Sequence, residues 1–488
     1  MKGQLIYLCF ITLFIMLPSV YAQIIPDFQV NESVSDTHQA LCAIAIDSSG
    51  NFVITWEDRH NSNSNIYAQR YSSDGTALGS NFKVNNNIES GDRNNPSIAS
   101  DSDGNFVIAW VDDNYGEQPI YAQRYSSDGT ALGDNFLVRQ GGGSSPSISS
   151  DDSGNFVITW HVYYWPEGQD TYAKRYSSDG TALGSNFLVN QGEVGGSSSP
   201  SISSDSYGNF VITWNSDETI VARCFSSNGT PLGISFEVNN HNQSAFQGNP
   251  SISSDSYGNF IITWEDVRNE DRDIYAQRYS SDGTALGSNF KVNNNIESGD
   301  RDNPSISSDG DGNFVIAWDD YRDGDVSIYA QRYSSNGIAI GGNFKVTNTG
   351  YDPDVILLKG KIYTTWTDNR GNGTGYDIWA NVLDWNDPTT GIDEKDILKK
   401  PSIYRLSQNY PNPFNPKTII NYELPITNFV ELSIYNLLGQ KVATLVSEKM
   451  PAGDHQVEFN GQNLSSGVYL YRIEAGEWQD VKKMILLR

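Results

Sequence analysis

The stretch Asn-Phe-Val-Ile-Thr-Trp at residues 51–56 constrains the fold more than any other feature of the chain, because it recurs. Related stretches end at six further tryptophans at spacings of 48 to 54 residues: Trp110, Trp160, Trp214, Trp264, Trp318 and Trp366. Such a period indicates a repeat architecture, in which each unit buries its apolar faces against its neighbours. The structure of one unit therefore determines most of the chain.

Each repeat has the pattern of four short strands. In the fifth copy these strands cover residues 250–254, 260–264, 274–279 and 289–292, with Gly-containing turns after the first and third. The second strand is apolar or nearly so on both faces, so it needs a neighbouring unit on each side. Four antiparallel strands joined by tight turns make one blade of a propeller, and we expect the recurrent tryptophans to lie in the core between blades.

The two ends of the repeat region complement each other. The seventh copy has strands at Trp366 and at residues 376–380 but no fourth strand, whereas residues 27–31 match the fourth-strand stretch at residues 82–85. A first strand that completes the last blade would remove the exposed sheet edges. The sequence predicts an all-β fold whose residues 23–386 form a seven-bladed β-propeller closed by an N-terminal strand.

The loops fall into two groups. Turns between strands one and two and between strands three and four barely vary among the copies, and they share one rim, which we call the constant rim. Loops between strands two and three and between successive blades differ in length and chemistry, and they share the opposite, variable rim. Because binding residues concentrate on variable loops, we expect a ligand at the variable rim.

A Trp-x-Asp-x-Arg pattern follows the second strand in blades five to seven. Asp266 with Arg268, and Asp320 with Arg322, are candidate ligand-binding residues on the variable rim. The alternative is that each Asp pairs with the Arg of its own loop and fixes the loop's shape.

Blade three differs from the others at this place. It has three consecutive aromatic residues, Tyr163, Tyr164 and Trp165, where other blades have acidic loops. Aromatic faces beside polar groups suit the apolar faces of sugar rings, so these residues are candidate glycan contacts. The alternative is that the rings pack over their own loop.

Metal binding and catalysis have weaker signals. The stretches beginning at Asp101 and Asp309 place carboxylates at alternate positions before Gly, as in calcium loops, but no closing Glu follows, which favours plain turns. Calcium stays open, and no other cofactor is predicted.

The five histidines form no cluster, and no blade has an acid pair that the others lack. We therefore predict a protein that is not an enzyme; the alternative is a glycan-degrading hydrolase that uses rim carboxylates.

Composition bounds the location and the partners. Residues 1–22 have a basic start, an apolar run and a small-residue ending, which predicts a cleaved signal peptide, and no later segment is apolar enough to span a membrane. The net charge is −27, and residues 401–488 are balanced, so the excess belongs to the repeats and argues against nucleic-acid or anionic-membrane partners. Cys42 and Cys224 lie in different repeats and are expected as core thiols.

Residues 387–403 are predicted to be a linker, and short alternating strands follow over residues 404–488 in the pattern of a small immunoglobulin-like β-sandwich. This segment contains Leu-Ser-Gln-Asn-Tyr-Pro-Asn-Pro-Phe-Asn-Pro at 406–416, Ile-Tyr-Asn-Leu-Leu-Gly at 434–439 and Leu-Ser-Ser-Gly-Val-Tyr at 464–469. It resembles the type A C-terminal sorting domain of the type IX (Por) secretion system. The resemblance implies export through the outer membrane by that machinery, followed by release or attachment at the cell surface.

The repeats are similar, more weakly, to propeller repeats of bacterial surface and adhesin proteins. Together these features predict a secreted binding module, extracellular or attached to the bacterial outer surface. Its partners would be the type IX machinery and a glycan, polymer or protein bound at the variable rim.

Overall fold

The computed structural model describes residues 24–32, 38–59, 63–86, 91–113, 116–164, 168–191, 196–217, 219–239, 246–269, 271–294, 299–322, 324–370, 375–386, 404–424, 428–450, 453–476 and 478–487. All regular secondary structure in these ranges is β-strand. The predicted all-β class is thereby confirmed. The predicted signal peptide (1–22), the linker (387–403) and Trp165 lie outside the described residues.

The repeats fold into four-stranded antiparallel sheets, which we call blades. A first strand, β1 (Ile25–Gln29), precedes them. Blades 1 to 3 take their strands in chain order: β2 (Gln39–Ile46), β3 (Phe52–Asp58), β4 (Asn65–Tyr71) and β5 (Phe82–Lys83); β6 (Asp92–Ser100), β7 (Phe106–Asp113), β8 (Ile120–Tyr125) and β9 (Phe136–Arg139); β10 (Gly143–Ser150), β11 (Phe156–Tyr164), β12 (Gly168–Tyr176) and β13 (Phe187–Leu188).

Blades 4 to 6 repeat this arrangement: β14 (Ser197–Ser204), β15 (Phe210–Ser216), β16 (Thr219–Phe225) and β17 (Phe236–Glu237); β18 (Gln247–Ser254), β19 (Phe260–Asn269), β20 (Asp271–Tyr279) and β21 (Phe290–Lys291); β22 (Arg301–Ser308), β23 (Phe314–Asp320), β24 (Ser327–Tyr333) and β25 (Ala339–Thr347). Blade 7 is built from β26 (Tyr351–Leu358), β27 (Lys361–Asp368) and β28 (Asp377–Asp384). The repeated sheets form a propeller-like arrangement.

Strand β1 is the fourth strand of blade 7. It pairs antiparallel with β28, where Phe28 lies opposite Ala380. Just beyond β1, Asn31 donates from its side-chain nitrogen to Asp377 Oδ1 at 2.8 Å and accepts from the backbone nitrogen of Ile378 at 2.7 Å. The chain's first described strand is therefore hydrogen-bonded to its seventh sheet.

The second strand of each blade carries the core. Seven tryptophans have no exposed surface: Trp56, Trp110, Trp160, Trp214, Trp264, Trp318 and Trp366. In blade 5, Phe260, Ile262 and Trp264 pack against residues of blade 4, whereas Ile261 packs with residues of blade 6. The predicted two-faced burial is confirmed, and it explains why an isolated blade would leave apolar surface in water.

The constant rim is held by hydrogen bonds within and between turns. In blade 1, Asp47 Oδ1 accepts from the backbone nitrogens of Ser49 and Asn51 at 2.8 and 2.9 Å. The side chain of Asn51 then accepts from the nitrogen of Ser73, in the turn after β4, at 3.2 Å. Both turns of a blade therefore lie on one rim, as the sequence predicted.

The C-terminal segment forms two sheets. One contains β29 (Arg405–Leu406), β30 (Lys417–Leu424) and β33 (Gly453–Asn460), and the other contains β31 (Asn428–Asn436), β32 (Lys441–Met450), β34 (Gly467–Ala475) and β35 (Trp478–Leu486). Residues of both sheets share one core, for example Ile420 and Phe459 with Leu432 and Tyr471. Each of the six strands predicted for this segment is present.

Candidate functional site

The Trp-x-Asp-x-Arg loops form closed charge pairs. In blade 6, Trp318 donates its indole N–H to Asp320 Oδ2 at 2.9 Å, and Arg322 Nε donates to Asp320 Oδ1 at 2.8 Å. Burial raises the pKa of Asp320, but the hydrogen bonds and charge of Arg322 and the bond from Trp318 outweigh it, so that this pKa is lowered. The carboxylate is therefore held ionised inside its own loop.

Blade 5 repeats this geometry. Trp264 donates to Asp266 Oδ2 at 3.2 Å, and Arg268 Nε donates to Asp266 Oδ1 at 2.8 Å. The Arg268 guanidinium lies 4.0 Å from the ring centre of Tyr275. The pairing within each loop is thus present, and it orients the two guanidinium groups. A ligand role for Asp266, Arg268, Asp320 and Arg322 stays a prediction.

The aromatic residues of blade 3 end strand β11. Tyr163 is 54% exposed, whereas the hydroxyl of Tyr164 lies 3.4 Å from the hydroxyl of Tyr172. Tyr163 therefore presents much of its ring to solvent, and Tyr164 is tied to the neighbouring strand. Glycan contact by Tyr163 and Tyr164 stays a prediction.

A second group of side chains lies at the boundaries between neighbouring blades. It combines residues near the start of a blade's first strand with residues that directly follow the repeat tryptophans. Each of these first strands has a residue with positive φ next to a register irregularity; in blades 6 and 7 these residues are Asn303 (φ 49°) and Asp352 (φ 53°). Residues Glu265 and Asp319 directly follow Trp264 and Trp318. We call Glu265, Asp302, Asn303, Asp319 and Asp352 the acidic sector.

Asn303 joins carboxyl groups of three blades. Its backbone nitrogen donates to Glu265 Oε1 at 2.8 Å. Its side-chain nitrogen donates to Asp319 Oδ2 at 3.0 Å and to Asp352 Oδ1 at 2.8 Å. Because one amide nitrogen contacts both Asp319 and Asp352, these two carboxyl groups are close neighbours.

Asp319 is a carboxyl group that favours its proton. It is 1% exposed, and burial, followed by the negative charge of Asp352, raises its pKa well above the ordinary value. Asp319 Oδ2 accepts the bonds from Asn303 and from the Asp352 backbone, whereas Oδ1 is buried and has no hydrogen-bond partner among the described residues. A protonated Oδ1 would be a hydrogen-bond donor that still lacks an acceptor.

The other acids of the sector also have a raised pKa. Burial raises the pKa of Asp352, of Asp302 and of Glu265. Arg272 opposes this effect, since its guanidinium lies 2.6 Å from Asp302 Oδ1 and 3.8 Å from Glu265 Oε2. The sector thus combines acids whose pKa is raised by burial with a cation that contacts one of them directly.

Tyrosines adjoin these acids. Burial, followed by the negative charges of Asp319 and Asp302, raises the pKa of Tyr321 to about 12. The ring centres of Tyr351 and Tyr376 are 6.0 Å apart in an edge arrangement, and His38 lies 5.5 Å from Tyr376. The sector therefore has carboxyl groups for proton transfer beside aromatic surface for contact with a ligand.

The suggested calcium stretches are turns. Asp309 Oδ1 accepts from the backbone nitrogens of Asp311 and Asn313 at 3.1 and 2.8 Å, and Oδ2 accepts from the Asn313 side chain at 2.9 Å. The carboxylate oxygens are therefore occupied by the turn itself. Across the described ranges, no group of three or more His, Cys, Asp or Glu side chains is arranged to hold a metal ion.

Comparison with protein families identifies the C-terminal segment. Residues 408–487 match the family described as secretion system C-terminal sorting domain. The predicted resemblance is confirmed, and the protein is exported by the type IX machinery to become secreted or attached to the cell surface. Within the described ranges, no helix has the length and apolar character needed to cross a membrane.

Comparison with whole proteins gives distant matches. No curated protein sequence matches this chain significantly. A solved structure of a protein of unknown function from Dyadobacter fermentans is 10% identical and covers 74% of this chain and 98% of its own, with a TM-score of 0.47. An ulvan lyase from a new family of polysaccharide lyases is 9% identical, covers 75% of this chain and 95% of its own, and has a TM-score of 0.48. An α-L-arabinanase of Penicillium chrysogenum, solved with arabinobiose, is 10% identical and covers 59% and 92%, with a TM-score of 0.41.

The prediction that the chain is not an enzyme is contradicted, because the matched structures include a polysaccharide lyase and an arabinanase, both of which are enzymes. The acids are not paired inside one blade: Asp319 of blade 6 and Asp352 of blade 7 meet across a blade boundary. The signal that could have found them is an acid directly after a repeat tryptophan, together with an acid directly before the proline of the next blade's first strand.

Proposed function

We propose that this exported chain is a secreted polysaccharide-degrading enzyme that hydrolyses a glycan at the acidic sector. We further infer that its sheets form a closed seven-bladed ring fastened by β1, with residues 1–22 as a removed leader and 387–403 as a linker to an immunoglobulin-like sorting domain. The observation that carries the catalytic proposal is the buried Asp319 carboxyl group, whose pKa is raised and whose Oδ1 lacks a partner among the described residues, beside Asp352.

Asp319 and Asp352 supply the proton. Two carboxyl groups that share one site cannot both ionise readily, so the pair retains one proton at pH values where a single exposed Asp is ionised. Asp319 is buried and Asp352 is only partly buried, so Asp352 is the member that can face a substrate. It donates the proton to the glycosidic oxygen as the bond to the anomeric carbon breaks.

Asp302 and Arg272 supply the second half of the reaction. Burial raises the pKa of Asp302, and the Arg272 guanidinium, 2.6 Å from Asp302 Oδ1, opposes that shift, so this carboxylate is a base of raised proton affinity beside a cation. The carboxylate takes a proton from water while the water oxygen bonds to the anomeric carbon. The proton lost by Asp352 is thereby matched by the proton gained at Asp302.

The tyrosines and the net charge define the substrate class. Tyr321 and Tyr351 adjoin the acids, and Tyr376 packs edge-on against Tyr351, so these rings offer surface for sugar faces. The chain carries a net charge of −27, which disfavours approach of an anionic polymer. A neutral polysaccharide fits both features. Tyr163, Tyr164 and Trp165, with Arg268 and Arg322, would extend the contact along the variable rim.

The test is release of reducing ends from soluble xylan, arabinan, mannan and mixed-linkage glucan by the purified full chain. Asp352→Asn and Asp302→Asn should each lower the rate about 100-fold or more, since each removes a proton-transfer group. Asp103→Asn, in an exposed constant-rim turn of blade 2, is the matched control and should leave the rate unchanged.

Three results would overturn the proposal. One is the absence of turnover on every neutral polymer. Another is turnover that neither acidic-sector variant affects. The third is turnover whose products absorb in the ultraviolet as unsaturated sugars, because that outcome signals elimination rather than hydrolysis.

A further inference from the structure

Two neighbouring turns on the constant rim carry exposed tyrosines. Tyr207, in the turn between β14 and β15, is 76% exposed, and Tyr257, in the turn between β18 and β19, is 71% exposed. Neither ring has a hydrogen bond or a ring contact with the described residues. Most of each ring is therefore exposed to water, where it presents a large apolar surface.

The fold does not require an aromatic residue at this position. The other blades carry small or charged residues there: Ser49, Asp103, Ser153, Asp311 and Lys359. Blade 4 is also unusual after its third strand, where Ile234 is 86% exposed and the corresponding residues are polar in four blades: Ser80, Asp134, Ser185 and Ser288. At these two turn positions the additional exposed apolar residues lie in blades 4 and 5.

The backbone beneath each tyrosine is fixed. Asp205 Oδ1 accepts from the backbone nitrogens of Tyr207 and Asn209, each at 2.9 Å, and Oδ2 accepts from the Asn209 side chain at 2.8 Å. Asp255 holds Tyr257 in the same way, with its Oδ1 2.9 Å from the Tyr257 nitrogen. A ligand that contacts these rings would not have to order the turns first, which reduces the entropic cost of binding.

The two turns adjoin each other. Gly258, beside Tyr257, packs so closely on the turn of Tyr207 that a Cβ atom at Gly258 would lie 3.0 Å from Asp205 Oδ2. The two tyrosines therefore occupy equivalent positions in neighbouring turns. A ligand that contacts both rings spans two blades, which suits a chain of linked units.

We propose that Tyr207 and Tyr257 form a binding platform for a neutral polysaccharide chain, on the rim opposite the acidic sector. The rings offer apolar faces for sugar rings, and their hydroxyl groups with Ser206 and Ser256 of the same turns offer hydrogen-bonding partners for sugar hydroxyls. The net charge of −27 favours a neutral polymer over an anionic one. The platform holds the protein on its polymer and does not depend on catalysis at the acidic sector.

The experiment measures retention of the full chain in native gels that contain a neutral polymer, either xylan, mannan, starch or mixed-linkage glucan, with polygalacturonate as the anionic comparison. Tyr207→Ser/Tyr257→Ser introduces residues that blades 1 and 3 carry at this position, so the turns should fold normally. Its apparent affinity should fall about ten-fold or more. Tyr207→Phe/Tyr257→Phe, which keeps the rings, should retain most of it.

Asp103→Ser and Asp311→Ser change the same turn position in other blades and should bind as the wild type does. Thermal unfolding of every variant should match the wild type, which separates loss of the platform from loss of the fold. Equal retention of the wild type and the double Ser variant overturns the proposal, as does a wild type that no neutral polymer retards. Hydrolysis of soluble substrate should be unchanged in the double Ser variant, so the platform and the proposed catalytic site succeed or fail separately.

Discussion

The backbone nitrogen of Asp352 lies 3.3 Å from Asp319 Oδ2 and donates a hydrogen bond to it across the boundary between blades 6 and 7. The Asn303 side chain bridges the same two residues, at 3.0 and 2.8 Å. A pair of acids is thus assembled by the packing of two sheets, although neither sheet contains the pair by itself. The stability and the proton affinity of this site are therefore linked.

The first prediction concerns the pH dependence of stability. Because burial raises the pKa of Asp319 above its ordinary value of 3.8, the folded protein binds this proton more tightly than the unfolded chain does. The resulting stabilisation is complete below the ordinary pKa and is lost as the pH rises through the folded-state pKa. Asp319→Asn cannot ionise, so its unfolding free energy should fall less than that of the wild type as the pH rises above about 4.

Each unit of pKa shift corresponds to about 1.4 kcal/mol, so the difference should be visible in thermal unfolding curves. Asp103→Asn, whose side chain is exposed, should follow the wild-type curve and serves as control. Parallel pH profiles for the wild type and Asp319→Asn would contradict the assignment.

The second prediction compares two arginines of the variable-rim loops. Arg322 is 8% exposed and pairs with Asp320, which is fully buried, so Arg322→Ala leaves a buried carboxylate whose remaining cation partner among the described residues is Arg301, at 3.5 Å. We expect a loss of about 3 kcal/mol in unfolding free energy, measured by denaturant titration.

Arg59→Ala is the comparison. Arg59 is 62% exposed and pairs with Glu57, whose pKa burial already raises, so Glu57 can take up a proton when the arginine is removed. Its cost should be about 1 kcal/mol or less. Equal losses in the two variants would show that the Arg322 pair is no more important than a surface pair.

The third prediction concerns the two cysteines of the described repeats. Cys224 is buried, and burial raises its pKa to about 11; burial also raises the pKa of Cys42, and both thiols are free. Since the thiolate is the reactive form, neither should react with an aromatic disulfide reagent in the folded protein. Both should react in denaturant, and Cys224→Ser should remove one of them. Rapid labelling of the folded protein, or no labelling of the unfolded protein before reduction, would contradict this.

The fourth prediction concerns export. The sorting segment has its own core, which draws on both of its sheets, for example Leu406 with Met484. Removing residues 404–488 should therefore leave the repeats folded, as judged by circular dichroism and thermal unfolding, while the protein no longer reaches the cell surface or the medium. Fusing residues 404–488 to an unrelated periplasmic protein should direct that protein outward. Surface delivery of the truncated chain would contradict the assignment.

The blade structure could be predicted from the sequence because the same strand pattern recurs in seven copies. The alternation around Trp264 predicts a strand buried on both faces, and both faces pack against neighbouring blades. The match between residues 27–31 and the usual fourth strand predicts the pairing of β1 with β28. In both cases the prediction rests on a pattern within one short stretch, or on comparison of that stretch with its other copies.

The acidic sector was not accessible in the same way. Asp302 and Asp352 are ordinary polar residues of their strands, and Asp319 is one of several acids after a repeat tryptophan. Their meeting depends on how two sheets pack and on the positive φ of Asn303 and Asp352. The charged loops of Asp266 and Asp320 form the more regular sequence pattern, but their carboxylates are occupied by the arginines of their own loops.

The bond between Asn31 and Asp377 joins residues that are 346 positions apart. Strand β1 is made first, yet its partner β28 emerges only after all six intervening blades have been synthesised. Pairing of β1 with β28 is consequently a late step in folding, and it has a high entropic cost of loop closure. Until then β1 lacks the strand that pairs with it, so its backbone N–H and C=O groups stay open to other partners.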